Sequence, residues 1–308
     1  ELKTILSKII PDNNVKIKVT GAGVNYADLL IIQGKYQERP RPPFSPGLEI
    51  SGTIIKNGKN SSKFVKGSKV MAIMKYGGYT QEIVVPEENV YPVPKNMSML
   101  IAAGFPVVYG TAYAALSWKA KLKKKETCLI LGASGGVGLA AVEIAKAMGA
   151  KVIAVASSEE KLSICKSHGA DYIINYKKDI MRNKIREISN DGIDVVIDLV
   201  GGNESLDAVK SLSWEGRIVI VGFATGTIPA IPANRLLLKN AQAIGLYWGE
   251  QAYRQPLLIG KSFKKLEEWY TKGLLRPRVS MNIKLKDASE ALNLLKDRKN
   301  IGKIVLKC

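Results

Sequence analysis

The sequence predicts an α/β protein in which a doubly wound parallel sheet is combined with a separate β-rich domain. Three observations favour this fold class. Apolar strand-like runs alternate with helical patterns from Cys128 to about Leu246, a glycine-rich loop follows the first of these runs, and the segments from Val15 to about Pro94 are short and β-branched. A chain of 308 residues is long enough for both domains, and 46% hydrophobic with 24% charged residues is ordinary for a globular protein.

The β-rich region is divided by four turn signals, at Asn13-Asn14, Asn57-Gly58, Lys66-Gly67 and Gly77-Gly78. Such spacing predicts a barrel or a sandwich. The proline-rich piece 39–47 is expected to be a loop, because prolines lack the N–H groups that a central strand donates to its neighbours.

Six strands are predicted in the alternating region, with helices between the first several of them, for example Val137–Met148 and Glu159–Ser167. The strands are Cys128–Leu131, Val152–Ala156, Tyr172–Asn175, Val195–Asp198, Arg217–Val221 and Ala243–Leu246. Strands joined by helical crossovers form a parallel, doubly wound sheet.

The last part of the chain carries two amphipathic helical patterns, Gln255–Lys272 and Asp287–Lys296, and a final strand, Lys303–Leu306. We expect this tail to rejoin the β-rich domain. The predicted domains are therefore residues 1–108 with 247–308, and residues 109–246 inserted between them.

The glycine-rich loop runs from Gly132 to Gly138, directly after the strand Cys128–Leu131 and before a helix that ends near Gly149. Glycine lets the backbone approach a pyrophosphate, and the free N–H groups at the start of the helix favour an anion. A second apolar run, Lys151 to Ala156, follows at the distance of the next parallel strand. This context favours a dinucleotide site over a tight turn without a ligand.

The end of the second strand indicates which dinucleotide is bound. An NAD site usually has an acidic residue there to hold the ribose 2′-hydroxyl. This chain has Ser157 and Ser158, with Lys161 one turn later, and serine with lysine suits a 2′-phosphate. We therefore favour NADPH. In the alternative, Lys161 is a solvated helix residue and Glu159 turns inward to make an NAD site.

Composition argues against several classes of protein. The net charge of +19 comes mostly from lysines scattered along the chain, which is typical of a solvated surface rather than a nucleic-acid track, so nucleic acid is not the expected partner. Three cysteines, Cys128, Cys165 and Cys308, form no disulfide framework and suggest a reducing compartment.

No membrane helix is expected, because the uncharged stretch Leu100–Trp118 is interrupted by glycine and proline. We expect a cytoplasmic protein or, since the sequence opens on Glu1, a mitochondrial one whose presequence has been removed.

A zinc site is not expected. Catalytic zinc takes three ligands from Cys, His, Asp or Glu, and structural zinc usually takes four cysteines. The chain has three cysteines without metal spacing and one histidine, His168, whose place at the end of a predicted helix favours a helix-terminal role over a catalytic one.

Five short motifs resemble the zinc-independent quinone oxidoreductases of the medium-chain dehydrogenase/reductase superfamily, the zeta-crystallin type. They are residues 23–28 (GVNYAD), 46–52 (PGLEISG), 110–113 (GTAY), the glycine loop and 194–198 (DVVID). Longer strings, at 36–40, 231–234 and 245–249, resemble one narrower branch of that family. Zinc alcohol dehydrogenases carry Gly-His-Glu where this chain reads Gly47-Leu48-Glu49.

The resemblance implies a GroES-like β-barrel catalytic domain, a Rossmann domain, and NADPH in the cleft between them. It implies that Ala133, Gly135, Gly136, Val137 and Gly138 cradle the pyrophosphate, with Ala133 in the place of the first glycine. Ser157, Lys161 and Tyr176 would surround the 2′-phosphate. The further cofactor contacts that it implies are Thr111, Gly222, Phe223 and Lys303, with Asn25 also near the nicotinamide.

Without zinc to polarise a carbonyl, the expected acceptor is one that takes hydride readily. We expect reduction of quinones by NADPH through proximity in a dry cleft. Asn25 and Tyr36 are the predicted catalytic residues that orient the acceptor, although Tyr36 could instead pack across the barrel wall.

Two other functions remain open, reduction of α,β-unsaturated aldehydes or ketones, and a non-enzymatic role as an NADPH- or RNA-binding protein. A homodimer is also expected, because the apolar strand Ala241–Trp248 would be an exposed sheet edge in a monomer.

Overall fold

A computed structural model describes residues 2–5 and 9–308 and divides the chain into two compact units. The first, called here the β-rich unit, comprises Glu1–Val107, Gln251–Glu267 and Pro277–Cys308. The second, the α/β unit, comprises Val108–Glu250 and Glu268–Arg276. The short segment Glu268–Arg276 thus groups with the α/β unit, whereas the sequence alone suggested one uninterrupted tail.

The β-rich unit is built on a seven-stranded sheet with the order β12-β13-β1-β2-β3-β5, in which β4 also pairs with β1. Its strands are β1 (Asn14–Val24), β2 (Glu49–Asn57), β3 (Lys69–Ile73), β4 (Glu82–Pro86), β5 (Val90–Pro92), β12 (Val279–Lys284) and β13 (Lys303–Lys307). Alternate side chains of β1, such as Val15, Ile17 and Val19, are buried, as expected where one sheet face covers a core. The chain's last strand, β13, pairs with β1, so the tail completes this sheet.

Four helices accompany this sheet or follow the α/β unit. They are α1 (Tyr26–Ile32), α2 (Met99–Ala103), α10 (Pro256–Thr271) and α11 (Ala288–Lys296). The first is absent from the sequence-based expectation of an all-β region. It forms because the Asp28 carboxylate accepts a hydrogen bond from the backbone N–H of Asn25, which caps the helix start. The proline-rich piece 39–47 contains no strand, as predicted.

The α/β unit contains a six-stranded sheet whose paired strands are all parallel, in the order β11-β10-β9-β6-β7-β8. The strands are β6 (Thr127–Leu131), β7 (Lys151–Ala156), β8 (Tyr172–Asn175), β9 (Ile193–Asp198), β10 (Leu212–Ile220) and β11 (Gln242–Gly245). This confirms the predicted doubly wound sheet. Strand β6 is buried along its whole length, which is why it reads as a continuous apolar run.

The remaining helices lie before, between and after these strands. They are α3 (Pro106–Tyr113), a π-helical segment (Ala114–Lys119), α4 (Gly136–Ala147), α5 (Glu159–Ser167), α6 (Met181–Ile188), α7 (Gly202–Lys210), α8 (Ala233–Leu237) and α9 (Trp248–Arg254). Pro256 separates α9 from α10, because the residue before a proline is disfavoured in helix. Among the described residues, every helix falls short of the length and apolarity that a bilayer span requires.

Candidate functional site

The glycine loop of the α/β unit depends on two glycines for its shape. Gly132 has φ +73°, a left-handed conformation that side chains disfavour. A Cβ on Gly138 would lie 2.3 Å from the carbonyl oxygen of Gly132, so the helix can approach the loop only without a side chain there. Ala133, whose N–H donates to Val155 O at 3.0 Å, is buried and anchors the loop to β7.

The outer part of the same loop is open. A Cβ on Gly135 would meet only one atom within 4 Å, the Gly132 carbonyl oxygen at 3.6 Å. Gly135 is the N-cap of α4 and offers no side chain to its first turn. Gly135, Gly136 and Val137 are partly exposed, and the first N–H groups of a helix have no partner within it. The loop therefore has the space and the donors that a pyrophosphate requires.

Polar side chains follow the end of β7, and the first acidic residue after them, Glu159, is bonded to residues at and after the end of β8. Ser157, Lys161 and Tyr176 are all half-buried there, and the N–H of Tyr176 donates to Ala156 O at 3.2 Å. The carboxylate of Glu159 instead accepts hydrogen bonds from Asn175 Nδ2 at 2.9 Å and Lys178 Nζ at 3.1 Å. These bonds lower the pKa of Glu159.

The carboxyl ends of β9 and β10 are tied together by Asp198, which is fully buried. Its Oδ1 accepts from the N–H groups of Val200 and Gly201, both at 3.0 Å, and its Oδ2 accepts from Ser205 Oγ. Its backbone oxygen accepts from the N–H of Gly222 at 3.3 Å. Asp198 thereby fixes the turn beside Gly222, and Phe223 follows at the same sheet edge.

The β-rich unit holds a set of interlocked polar side chains, which we call the buried cluster: Asn25, Asp28, Glu49, Tyr79 and Lys303. The ammonium of Lys303 lies 2.7 Å from Glu49 Oε1, 2.8 Å from Val24 O and 2.5 Å from Asn25 Oδ1. Glu49 also accepts from Val107 N at 2.8 Å. Lys303 and Glu49 are 6% and 0% exposed, so this ion pair is removed from water.

The second half of the buried cluster surrounds Asp28, which is 0% exposed. Its Oδ2 accepts from Asn25 N at 2.8 Å and from the Tyr79 hydroxyl at 2.9 Å, and its Oδ1 accepts from Gly47 N at 3.0 Å. Burial raises the pKa of Asp28 to about 6, although these bonds and the charge of Lys303 act in the opposite direction. Burial also raises the pKa of Tyr79.

These bonds limit what the predicted residues Asn25 and Lys303 can do. The two Nδ2 hydrogens of Asn25 face Gly23 O at 3.2 Å and Glu49 Oε1 at 3.0 Å. All three ammonium hydrogens of Lys303 have oxygen partners. A direct donation from either side chain to a ligand would require breaking one of these bonds.

Three members of the buried cluster were missed by reasoning from sequence. Asp28 and Glu49 fall inside the quoted motifs, and an acid within a run of apolar residues is a usable signal of a buried, paired carboxylate. Tyr79 carries no such signal, because its link to Asp28 joins residues far apart in the chain.

The two remaining predicted residues lie on different elements. Tyr36 is half-buried in the segment after α1, and its backbone oxygen accepts from Arg39 Nε at 3.3 Å. Thr111 is 7% exposed on α3. Their functional roles stay predictions.

His168 lies away from the glycine loop, at the C-terminal end of α5. Its Nδ1 is 2.6 Å from Glu143 Oε1, a buried carboxylate that also accepts from the Tyr109 hydroxyl at 2.7 Å. Within residues 2–5 and 9–308, no three His, Cys, Asp or Glu side chains are grouped so that they could hold a metal ion.

Comparison with known proteins gives the family. Residues 11–95 match the family described as "Alcohol dehydrogenase GroES-like domain", and residues 136–260 match "Zinc-binding dehydrogenase". Quinone oxidoreductase-like protein 2 of Mus musculus is 35% identical over 307 residues, covering 99% of this chain and 88% of the relative. A homolog of that protein from Nematostella vectensis is 39% identical over 298 residues, covering 96% and 81%.

A solved structure agrees with this similarity. The quinone oxidoreductase of Thermus thermophilus, determined alone and in complex with NADPH, is 30% identical, with a TM-score of 0.87 and coverage of 100% of this chain and 96% of the other. The fold is therefore a GroES-like domain with a Rossmann domain. The chain belongs to the medium-chain dehydrogenase/reductase family, in its quinone oxidoreductase type, and is an oxidoreductase that uses a nicotinamide cofactor.

Proposed function

We propose that this protein transfers hydride from NADPH to quinones. The observation that carries the choice of NADPH is the end of β7, where Ser157 and Lys161 follow the strand and the N–H of Tyr176 donates to Ala156 O. The carboxylate of Glu159 is bound there by Asn175 and Lys178. A carboxylate free at this point would repel a 2′-phosphate and suit NAD. The quinone is supported by the names of the relatives.

The residues of the α/β unit would hold the cofactor along the carboxyl edge of the sheet. The N–H groups of Gly136 and Val137 would donate to the pyrophosphate, and Gly135, whose own N–H donates to Gly132 O at 3.2 Å, would leave room for it. Ala133 and Gly138 would maintain the loop. Thr111, Gly222 and Phe223 would contact the nicotinamide end. When bound, NADPH supplies the hydride.

The β-rich unit would supply the groups that orient the acceptor. Asn25 keeps one lone pair of Oδ1 beyond the bond to Lys303, so it can accept a hydrogen bond, and Tyr36 would contribute its hydroxyl. Lys303 reaches the cofactor only by giving up one of its three present partners. Its contribution would otherwise be to hold Asn25 in position. The proton that completes quinone reduction would come from water or a hydroxyl.

The test is the rate of NADPH oxidation compared with NADH oxidation, with 1,2-naphthoquinone and with a 2-alkenal as acceptors. We expect NADPH with the quinone to be fastest. Lys161→Glu is expected to weaken NADPH binding and leave NADH binding nearly unchanged. Lys123→Glu, the same charge change on an exposed residue before β6, is the matched control.

Each other outcome has a defined meaning. Faster reduction of the alkenal would replace the quinone in the proposal by an α,β-unsaturated carbonyl compound. Tight NADPH binding without turnover on either acceptor would indicate a non-enzymatic NADPH-binding protein. Equal use of NADPH and NADH would overturn the role given to Ser157, Lys161 and Tyr176.

We also propose a homodimer formed at strand β11. This strand is an edge of the parallel sheet, and its four residues are exposed or half-exposed. Leu237 and Leu238, just before it, are 74% and 65% exposed, and unpaired edges beside apolar side chains are usually covered. Light scattering is expected to give a dimer, and Ile244→Asp a monomer, whereas Ile173→Asp on the opposite edge leaves the dimer intact. A monomeric wild-type protein would refute the proposal.

A further inference from the structure

Trp248, the first residue of α9, carries a buried hydrogen-bond donor that the fold leaves unused. The residue is 7% exposed, and its indole Nε1 has no hydrogen-bond partner among the described residues. Indole is a donor only, so it needs an acceptor to compensate for its removal from water. A buried N–H without one costs free energy comparable to a lost hydrogen bond, which favours any rearrangement that brings an acceptor to it.

The indole ring is held against α3. A Cβ on Gly110 would lie 2.3 Å from Cζ2 and 2.8 Å from Cε2 of Trp248, so the ring can occupy this place only because residue 110 is glycine. Cε2 is bonded directly to Nε1, and the donor therefore lies close to this turn of α3. The next residue, Thr111, is also 7% exposed.

The position of Trp248 just beyond the sheet edge connects it with the proposed cofactor site. Strand β11 ends at Gly245, and Trp248 follows at the same carboxyl edge as Gly222 after β10 and the glycine loop after β6. From β6 the order runs through β9 and β10 to β11, a distance of roughly 14 Å at about 4.8 Å per strand. A dinucleotide with its pyrophosphate at the glycine loop and its nicotinamide beside Gly222, as proposed above, lies along this edge in the direction of β11.

We propose that the indole N–H of Trp248 donates a hydrogen bond to a carbonyl oxygen of the bound reactants. This inference rests on the proposed function, which brings two such oxygens, one on the carboxamide of the nicotinamide and one on the quinone. Both are uncharged acceptors that suit a neutral donor in a dry site. Since Nε1 is enclosed, the oxygen reaches it when neighbouring side chains shift, and the unmade hydrogen bond favours that shift.

The first experiment observes the indole N–H directly. In the full chain labelled uniformly with 15N, the indole N–H signal of Trp248, one of four tryptophans, is assigned by its loss in Trp248→Phe. NADPH is expected to shift this signal, while that of Trp214, which is 65% exposed on β10, stays in place. A shift that occurs only when 1,2-naphthoquinone is added to the NADP⁺ complex would assign the oxygen to the acceptor.

The second experiment measures affinity. Trp248→Phe removes the donor together with the part of the ring that meets Gly110, and the Kd for the reactant that supplies the oxygen is expected to rise about three- to tenfold. Urea unfolding of the same variant measures how much of the change comes from lost packing. Trp214→Phe is the matched control and is expected to leave this Kd unchanged. If the carboxamide is the partner, the thionicotinamide analogue of NADPH binds the wild type more weakly than NADPH does but binds Trp248→Phe no more weakly, because its sulfur is a poor acceptor.

The outcomes separate this inference from the function on which it rests. If the amide signals of the glycine loop shift with NADPH and the Trp248 indole responds to neither NADPH nor the quinone, the inference is overturned and the cofactor site stands. An unchanged Kd in Trp248→Phe for both reactants would overturn it as well. If the loop amides do not respond to NADPH, the proposed function fails and the inference fails with it.

Discussion

The buried cluster of the β-rich unit and the glycine loop of the α/β unit represent two ways of building a site. In the buried cluster, shape depends on side chains that bind one another, such as Lys303 with Glu49 and Asp28 with Tyr79. In the glycine loop, shape depends on the absence of side chains at Gly132 and Gly138, and the expected donors are backbone N–H groups. The stability of the buried cluster should therefore be sensitive to the loss of a charged side chain. That of the glycine loop should be sensitive to the addition of a side chain.

The largest effect is expected from breaking the ion pair of the buried cluster. Lys303→Met leaves the Glu49 carboxylate buried without a cation, which typically lowers the free energy of unfolding by about 3–5 kcal/mol. Urea unfolding measures the change. The matched control is Lys307→Met, an exposed lysine on the same strand, for which a change well under 1 kcal/mol is expected.

A double variant shows whether charge is the reason. Glu49→Gln combined with Lys303→Met removes both charges of the pair and is expected to recover part of the lost stability, although the amide fits the remaining donors poorly. If Lys303→Met alone changes the free energy of unfolding by less than about 1 kcal/mol, the pair is not what holds the cluster together.

The pH dependence of stability tests the other half of the buried cluster. Burial raises the pKa of Asp28 from 3.8 to about 6, so the folded protein binds this proton more tightly than the unfolded chain does. Stability from this group is therefore present at low pH and is lost as the pH rises from about 4 to about 7, by about 3 kcal/mol. Asp28→Asn removes the titration.

The comparison between wild type and Asp28→Asn isolates this contribution from the other carboxyls. The difference between their free energies of unfolding is expected to move by about 3 kcal/mol in favour of the variant between about pH 4 and pH 7. Two curves that run parallel over this range would mean that Asp28 titrates normally. In Asp28→Asn, the loss of an acceptor for the N–H of Asn25 changes the free energy of unfolding by an amount that does not depend on pH.

The same comparison explains what could be predicted from the sequence. The glycine loop, its strand and its helix are local, so periodicity and glycine spacing predicted β6 and α4 to within a residue or two. The final strand β13 was also predicted, because apolar patterning marks it even though its partner β1 is distant.

The buried cluster could not be predicted in the same way. Its bonds join residues far apart in the chain, as between Asn25 and Lys303, and no local pattern specifies such pairs. The resemblance suggested ligand-facing roles for both residues, but it did not include the internal partners that occupy them. The indole of Trp248 is a similar case, since only the close approach of Gly110 reveals where its ring lies.

The glycine loop allows the smallest change and the sharpest pair of variants. In Gly138→Ala the new Cβ would lie 2.3 Å from a backbone oxygen that cannot move independently, so we expect a loss of about 1–3 kcal/mol in the free energy of unfolding together with weaker NADPH binding. In Gly135→Ala the nearest atom is 3.6 Å away, so stability is expected to stay nearly unchanged while the methyl group takes space proposed for the pyrophosphate.

Thermal unfolding and NADPH titration of these two variants separate fold from ligand binding. A loop that serves only as a tight turn predicts that Gly135→Ala changes neither quantity, whereas a pyrophosphate site predicts that it changes affinity alone. Because the two glycines are three residues apart and receive the same methyl group, the main difference between the variants is where that group points. Weaker NADPH binding in Gly135→Ala at unchanged stability would therefore locate the cofactor on the open side of the loop. Normal NADPH binding in this variant would contradict that position.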